Sequence, residues 1–446
     1  MNTRFVRTVA FLLNILLLFA LIGCATEQAV SPAQSESATS ASASSAASTS
    51  VAEEPVTLRF WHGKSEIVDS LPVVMNHYTE KNPNVIIECE FMADYYNTLK
   101  PYFASGDYPD IYMQAAYSGL TEWIEGGWAM DVTDTGVLSN IEPAFLEATT
   151  GADGRVYAVP AEQGVMGIFY NTRIFEKVGI TPARTFDEFK DICAKLKDAG
   201  YDAPIGTCFM DAVACNHLFS MSMAHAIGGQ GYDVMDYLNE LTSGTRTWEN
   251  NPEVARVLEF IDLVKENTYT DTMNTDYQTM CTDFAVEKTP MFVSGIWAMG
   301  NIENVDAAMN EYTSMFGVPL HDDPANARLT VNASGGWLIH TKTQYPELVN
   351  DVVTWMVSAE GDDLIANNLF FRTCSKNSVA PDMGINIWNE VTKYINDDKI
   401  VTRIEQTFTR EFNERQGAVV QSYFMQSLDT AGVGSSLQES WVDSIK

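Results

Sequence analysis

The sequence predicts an α/β protein, with helices layered on mainly parallel sheets and the chain divided into two lobes. Two observations carry this. Strand-like and helix-like segments alternate closely along the chain, the pattern that packs helices against a sheet. The roughly 390 residues beyond the first 55 also exceed what one hydrophobic core usually serves. Nine Trp, 18 Tyr and 22 Phe supply the material for those cores, with more Trp than packing alone requires.

The elements follow in order. Val56-Thr57-Leu58-Arg59-Phe60-Trp61 alternates with period two, as a strand does. A helical stretch from Val68 to Thr79 is stopped by Asn82-Pro83-Asn84, and Val85 to Phe91 reads as the next strand. Thr185-Phe186-Asp187-Glu188 is a capping box that opens a helix along Phe189, Ile192, Cys193 and Leu196, ended by Gly200. Asn251-Pro252 opens another, with Val254, Leu258 and Ile261 on one face. No internal repeat is visible.

The N-terminus addresses the chain. Arg4 and Arg7 precede the apolar run Val9 to Ile22, which ends at Gly23-Cys24, an export-signal pattern. Its small-residue-Cys junction resembles a bacterial lipobox. The resemblance implies cleavage after residue 23, diacylation of Cys24 and tethering at the outer face of the cell membrane; an ordinary secretory signal is the alternative. Each buried CH₂ of such a chain contributes about 0.8 kcal/mol, so two chains hold firmly. Seventeen of the twenty residues from Ser31 to Ser50 are Ser, Ala or Thr, so residues 24–55 read as a disordered linker of roughly 30 Å. No later run is apolar and long enough for a membrane helix.

Formal net charge is −32, and without residues 1–23, which carry two arginines and no acid, 25 basic residues face 59 acidic ones. Such a chain is repelled by nucleic acid and anionic lipid, and weakly by anionic ligands. The six cysteines after Cys24 (Cys89, Cys193, Cys208, Cys215, Cys281 and Cys374) have no metal-like spacing. They read as buried thiols, or as disulfides in an exported protein, with Cys208 and Cys215 the first candidate pair.

Several segments together resemble the extracellular solute-binding proteins of family 1, the sugar-type lipoproteins of ABC transporters. They are Val56 to Trp61 with His62-Gly63; Gly106-Asp107-Tyr108-Pro109-Asp110-Ile111; Tyr157 to Pro160; Phe169 to Ile180, running into Thr185 to Phe189; Phe284 to Trp297; Gly317-Val318-Pro319; and Gly335-Gly336-Trp337-Leu338-Ile339. Thr181-Pro182-Ala183-Arg184 departs from the family's usual Pro-Pro at a surface turn. The resemblance implies a two-lobed, periplasmic-binding-protein-like (type II) fold with a hinged interlobe cleft. Residues 56–160 and 330–374 would form lobe one, and 161–329 and 375–446 lobe two. It further implies capture of a carbohydrate by hinge closure and delivery to membrane permease subunits, by a monomer needing no cofactor or metal.

A sugar presents C–H faces to a flat aromatic and a hydroxyl rim to polar side chains. Trp61 and His62, at the end of the first strand, are candidate contacts, or Trp61 covers the lobe edge. Trp297 and Trp337 follow glycines that let backbone approach, and replacing either by Ala should weaken binding. Gln114 and Tyr117 occupy positions where the family places contacts. Asp110 touches ligand or fixes its own turn; Glu162, beside Gln163 at the first lobe crossing, touches ligand or serves the hinge. Asn216 and His217 are weaker candidates, and Tyr170 and Asn171 read as structural. Alternatives are another small polar solute such as a polyamine or glycerol phosphate, a surface adhesin or sensor subunit, or a secreted glycoside hydrolase. The hydrolase reading finds no nucleophile elbow, zinc-protease or phosphate-loop motif to support it.

Overall fold

The computed structural model describes residues 55–378, 386–405 and 407–445. The export signal, Cys24 and the Ser/Ala linker up to residue 54 lie outside the described residues. Among the described residues nine strands are present: β1 (Val56–His62), β2 (Val85–Phe91), β3 (Ile111–Ala115), β4 (Val159–Asn171), β5 (Ile205–Gly206), β6 (Met291–Gly295), β7 (Thr313–Phe316), β8 (Leu329–Ile339) and β9 (Ile400–Val401). They join in the order β2-β1-β3-β8-β4-β6-β5, with β7 on β4 and β9 on β8.

The sheet is mixed, which corrects the mainly parallel expectation. β1 is parallel to β2 and β3, because helices Ser70–Lys81 and Tyr95–Ser105 carry the chain back between them. The long strands β4 and β8, however, run antiparallel to each other, and to β6, β7 and β3. Short 3₁₀ turns rather than a crossover helix lead into β4. Helix–strand alternation therefore predicted the direction of the first three strands and could not predict that of the central pair.

Period-two alternation splits the first half of the sheet into two faces. Phe60, Ile111, Met113 and Trp337 pack on one side with Val352 and Val353; Trp61, Tyr112 and Leu338 pack on the other with Phe103 and Trp123. At the far end of the sheet, helices Phe186–Asp198, Ala212–Gly228, Pro252–Glu266 and Arg410–Phe424 share another core. β4 serves both halves and is buried along nearly its whole length.

Local signals hold in detail. Asn251 caps helix Pro252–Glu266. Thr185 caps Phe186–Asp198 by accepting from the Glu188 backbone N–H at 3.2 Å, but Glu188 reaches the Arg184 N–H (2.7 Å) rather than that of Thr185. The six described cysteines are free thiols, so of the two readings the sequence left open the structure shows the thiols, Cys208 and Cys215 included. Burial pushes the Cys208 thiol up to about 12.

Candidate ligand-binding cleft

The site lies where the central strands cross. β4 and β8 pair from Val159–Trp337 to Met166–Thr330, and the register slips on either side of Glu162. That irregularity re-aims one side chain. Glu162 is buried; its Oε1 accepts from Ser334 Oγ at 2.6 Å and from Lys64 Nζ at 2.7 Å. Lys64 follows β1 through Gly63, where a Cβ would stand 2.5 Å from that of Tyr95, so only glycine fits. Lys64 also lies 3.6 Å from Glu66 and over the Phe371 ring at 4.7 Å.

The other wall comes from later in the chain. Beyond β9, Arg403 (5% exposed) donates to the Glu405 carboxylate (4% exposed), a pair two residues apart where the chain leaves β9 and enters a turn. A Cβ at Gly164 would meet Arg403 Nη1 at 3.2 Å, which places the guanidinium against β4. Arg403 Cζ lies 5.5 Å from the Trp297 ring centroid, a cation–π distance. Trp297 is half-buried, and its indole folds back over Gly295, where a Cβ would sit 2.1 Å from the ring. His217, on helix Ala212–Gly228, meets Trp297 edge-on at 5.9 Å. Burial, then the nearby Arg403, push the His217 imidazole down to about 4, against the pull of Glu405 and Asp211. At physiological pH it is neutral, one nitrogen a donor and one an acceptor.

Tyr117 reaches the same place from β3. It occupies the first central position of a tight turn, with φ 56° and ψ −122° and a Gly119 N–H to Ala116 carbonyl bond of 3.2 Å. That is the type II′ geometry in which glycine is expected. A non-glycine residue there costs on the order of 1–3 kcal/mol and persists only where surroundings enforce it. The ring packs against Ala116, Ala148, Ala333 and Cys374. Burial, with Glu147 and Cys374, raises its phenol to about 12, while Arg403 works the other way.

The remaining sequence candidates lie in the cores, in turns or beside the crossing. Trp61 and Trp337, each 1% exposed, belong to the two faces of the first core, Trp61 against Tyr102 and Phe103. Asp110 fixes its turn by accepting from the Arg59 N–H (2.9 Å) and Thr343 Oγ1 (2.5 Å). His62 is buried beside Phe91, its pKa pushed to about 4 chiefly by burial; its Nδ1 and the Nε2 of buried Gln114 have no hydrogen-bond partner. Asn216 is taken up by Ser220 and Gln416. Asn171 caps the next helix through the Ile174 N–H. Gln163 ties β4 to the 371–375 segment, its N–H to the Arg372 carbonyl (2.7 Å) and its Nε2 to that of Thr373 (2.9 Å).

Four residues at the crossing were not singled out by sequence. Lys64 and Ser334 adjoin motifs that were, at His62-Gly63 and Gly335-Gly336, and proximity could have raised them. Arg403 and Glu405 fall beyond every recognised segment, and the β8–β9 pairing brings them in.

A family model described as bacterial extracellular solute-binding protein matches residues 64–363. The multiple sugar-binding protein of Streptococcus mutans is 23% identical over 262 residues, covering 57% of this chain and 60% of that protein. The maltotriose-binding protein of Pyrococcus abyssi is 26% identical over 235 residues, covering 51% and 46%. The match thus spans about half to three-fifths of these relatives' length. Among solved structures, RafE in complex with raffinose superposes with a TM-score of 0.75 at 19% identity, covering 88% of this chain and 100% of that one. A sugar transporter protein from Bacillus licheniformis in complex with stachyose gives 0.71 at 16% identity, covering 88% and 100%. At these identities the structural likeness is one of fold.

Proposed function

Because this chain belongs to the bacterial extracellular solute-binding proteins, we propose that it is the ligand-capturing subunit of an ATP-driven importer, taking up a carbohydrate of oligosaccharide size. One observation carries the reading: the half-buried indole of Trp297 stands beside His217 and Arg403, and Arg403 lies against β4 two residues from Glu162. Flat aromatic surface next to fixed polar groups is what a pyranose requires. The names of the relatives, which bind maltotriose or several sugars, support the class. The ligand is bound and released unchanged; the chain is a carrier rather than an enzyme.

In this reading Trp297 and Tyr117 stack on sugar, while Glu162, Lys64, His217, Arg403 and Glu405 serve its hydroxyls. His62 and Gln114 add lining groups through their unpartnered buried nitrogens. Trp61, Trp337 and Asp110 build the lobe that carries the site. Residues 56–160 and 330–374 move as one lobe against 161–329 and 375–446, hinging where β4, β8 and the 371–375 segment cross. Glu122 pairs with Arg410 (2.9 Å) and with Lys100, bridging the lobes at the rim. Ligand drives closure only if the closed state binds it better. Acylated Cys24 holds the monomer at the outer face of the cell membrane, and the Ser/Ala segment gives it reach to the permease.

A thermal-shift screen of the chain against mono- and oligosaccharides, with polyamines and glycerol phosphates as controls, tests this. Ligand at 100 times its Kd adds about 2.7 kcal/mol of stability. Shifts confined to saccharides support the reading; a shift with a control solute alone overturns the carbohydrate class.

A further inference from the structure

We propose that Glu405 is the specificity-determining acceptor of the cleft, taking a donated ligand hydroxyl and excluding sugars that carry a carboxylate; the inference rests on the carbohydrate-binding reading. Its two oxygens differ. Oε1 is occupied by the Arg403 guanidinium. Oε2 is buried and has no hydrogen-bond partner. An acceptor buried without a donor carries its full desolvation penalty, and charged acceptors carry the largest. The main chain at this point is held in place, since the Glu405 carbonyl accepts from Asn413 Nδ2 at 2.7 Å.

The surroundings say what completes it. His217 and Arg403 are its close electrostatic neighbours, and both touch Trp297, the half-buried aromatic of the crossing. A sugar lying on that indole would present its hydroxyl rim to Oε2, and a hydroxyl is the donor it lacks. Charge then decides what is refused. The two cations placed around Glu162 and Glu405 are already matched, Lys64 by Glu162 and Glu66, and Arg403 by Glu405. Three carboxylates against two cations leave no positive charge for a uronate, and a like charge placed beside Glu405 is repelled.

The test is calorimetric titration of the full chain and of Glu405→Gln with the best neutral oligosaccharide and with the same sugar oxidised at one C6 to the uronate. The variant should bind the neutral sugar roughly 10- to 150-fold more weakly, the worth of a hydrogen bond to a charged group. Its preference for neutral over uronate should also narrow. Unchanged affinity, or equal loss for both sugars, overturns the proposal, since equal loss means Glu405 merely props Arg403. If Glu405→Gln fails to fold, Glu405→Asp serves: it keeps the charge and should still refuse the uronate while losing reach to the hydroxyl. Uronate binding by Glu405→Asp at the neutral sugar's strength overturns the proposal equally. If the unaltered chain binds no saccharide, the parent reading falls first, which separates the two failures.

Discussion

Replacing Trp297 and Trp337 by alanine should produce opposite phenotypes, although both follow glycines and the sequence treats them alike. Trp337 is 1% exposed and packs in the core of the first sheet half. Truncating a tryptophan so placed costs about 3–5 kcal/mol through lost transfer energy and the cavity left behind. For the roughly 390 residues of the folded part, the entropy of unfolding is about 0.8 kcal/mol/K, so Tm should fall by about 4–6 °C if unfolding is two-state. Trp297 is half-buried, so Trp297→Ala should cost about 1–2 kcal/mol and lower Tm by only about 1–2 °C. Its loss appears in binding. A pyranose laid on the indole removes on the order of 80 Å² of apolar surface from water, worth about 2 kcal/mol, or about 30-fold in Kd. Calorimetric unfolding and saccharide titration of both variants make the comparison. Weakened binding in Trp337→Ala at unchanged Tm, or unchanged binding in Trp297→Ala, would refute the reasoning.

Tyr117→Gly should be more stable than Tyr117→Ala by about 1 kcal/mol, because glycine alone fits the positive-φ turn without strain, and both should bind more weakly; denaturant unfolding decides, and alanine at least as stable as glycine contradicts the turn argument. Glu122→Gln breaks the rim bridge to Arg410 and should weaken ligand binding about two- to fivefold, an effect that shrinks in high salt; an unchanged Kd at low salt argues against a closure contact. His340, buried against Phe103 and stacked on Tyr108, is held near 4 from an ordinary 6.5, chiefly by burial. It binds protons more readily unfolded, so its contribution is complete above about pH 6.5 and is lost as pH falls toward about 4. Tm should drop across that window, less steeply in His340→Asn, and an identical slope in that variant would rule the histidine out.

What the sequence revealed follows from the range of its signals. Caps and period-two strands are local, so β1, β2 and the helices opened by Thr185 and Asn251 were legible to within a residue or two. The direction of β4 and β8 was not, because strand polarity is settled by partners more than a hundred residues away. The same limit divides the site. Glu162, Tyr117 and Trp297 lie in recognisable segments and do converge. Trp61 and Trp337 carry equally strong motifs, but their strands turn them inward, and a motif does not say which face of a strand becomes core. Arg403 and Glu405 were invisible because no local pattern marks a buried ion pair brought in by one short parallel strand.

The most direct test of the account is the structure of the complex with the oligosaccharide that gives the largest thermal shift. The account expects a pyranose lying on Trp297 between the lobes, with hydroxyls within hydrogen-bond distance of Glu162 and Glu405 Oε2. A ligand seated away from the β4–β8 crossing, with Trp297 and Glu405 untouched, would contradict it.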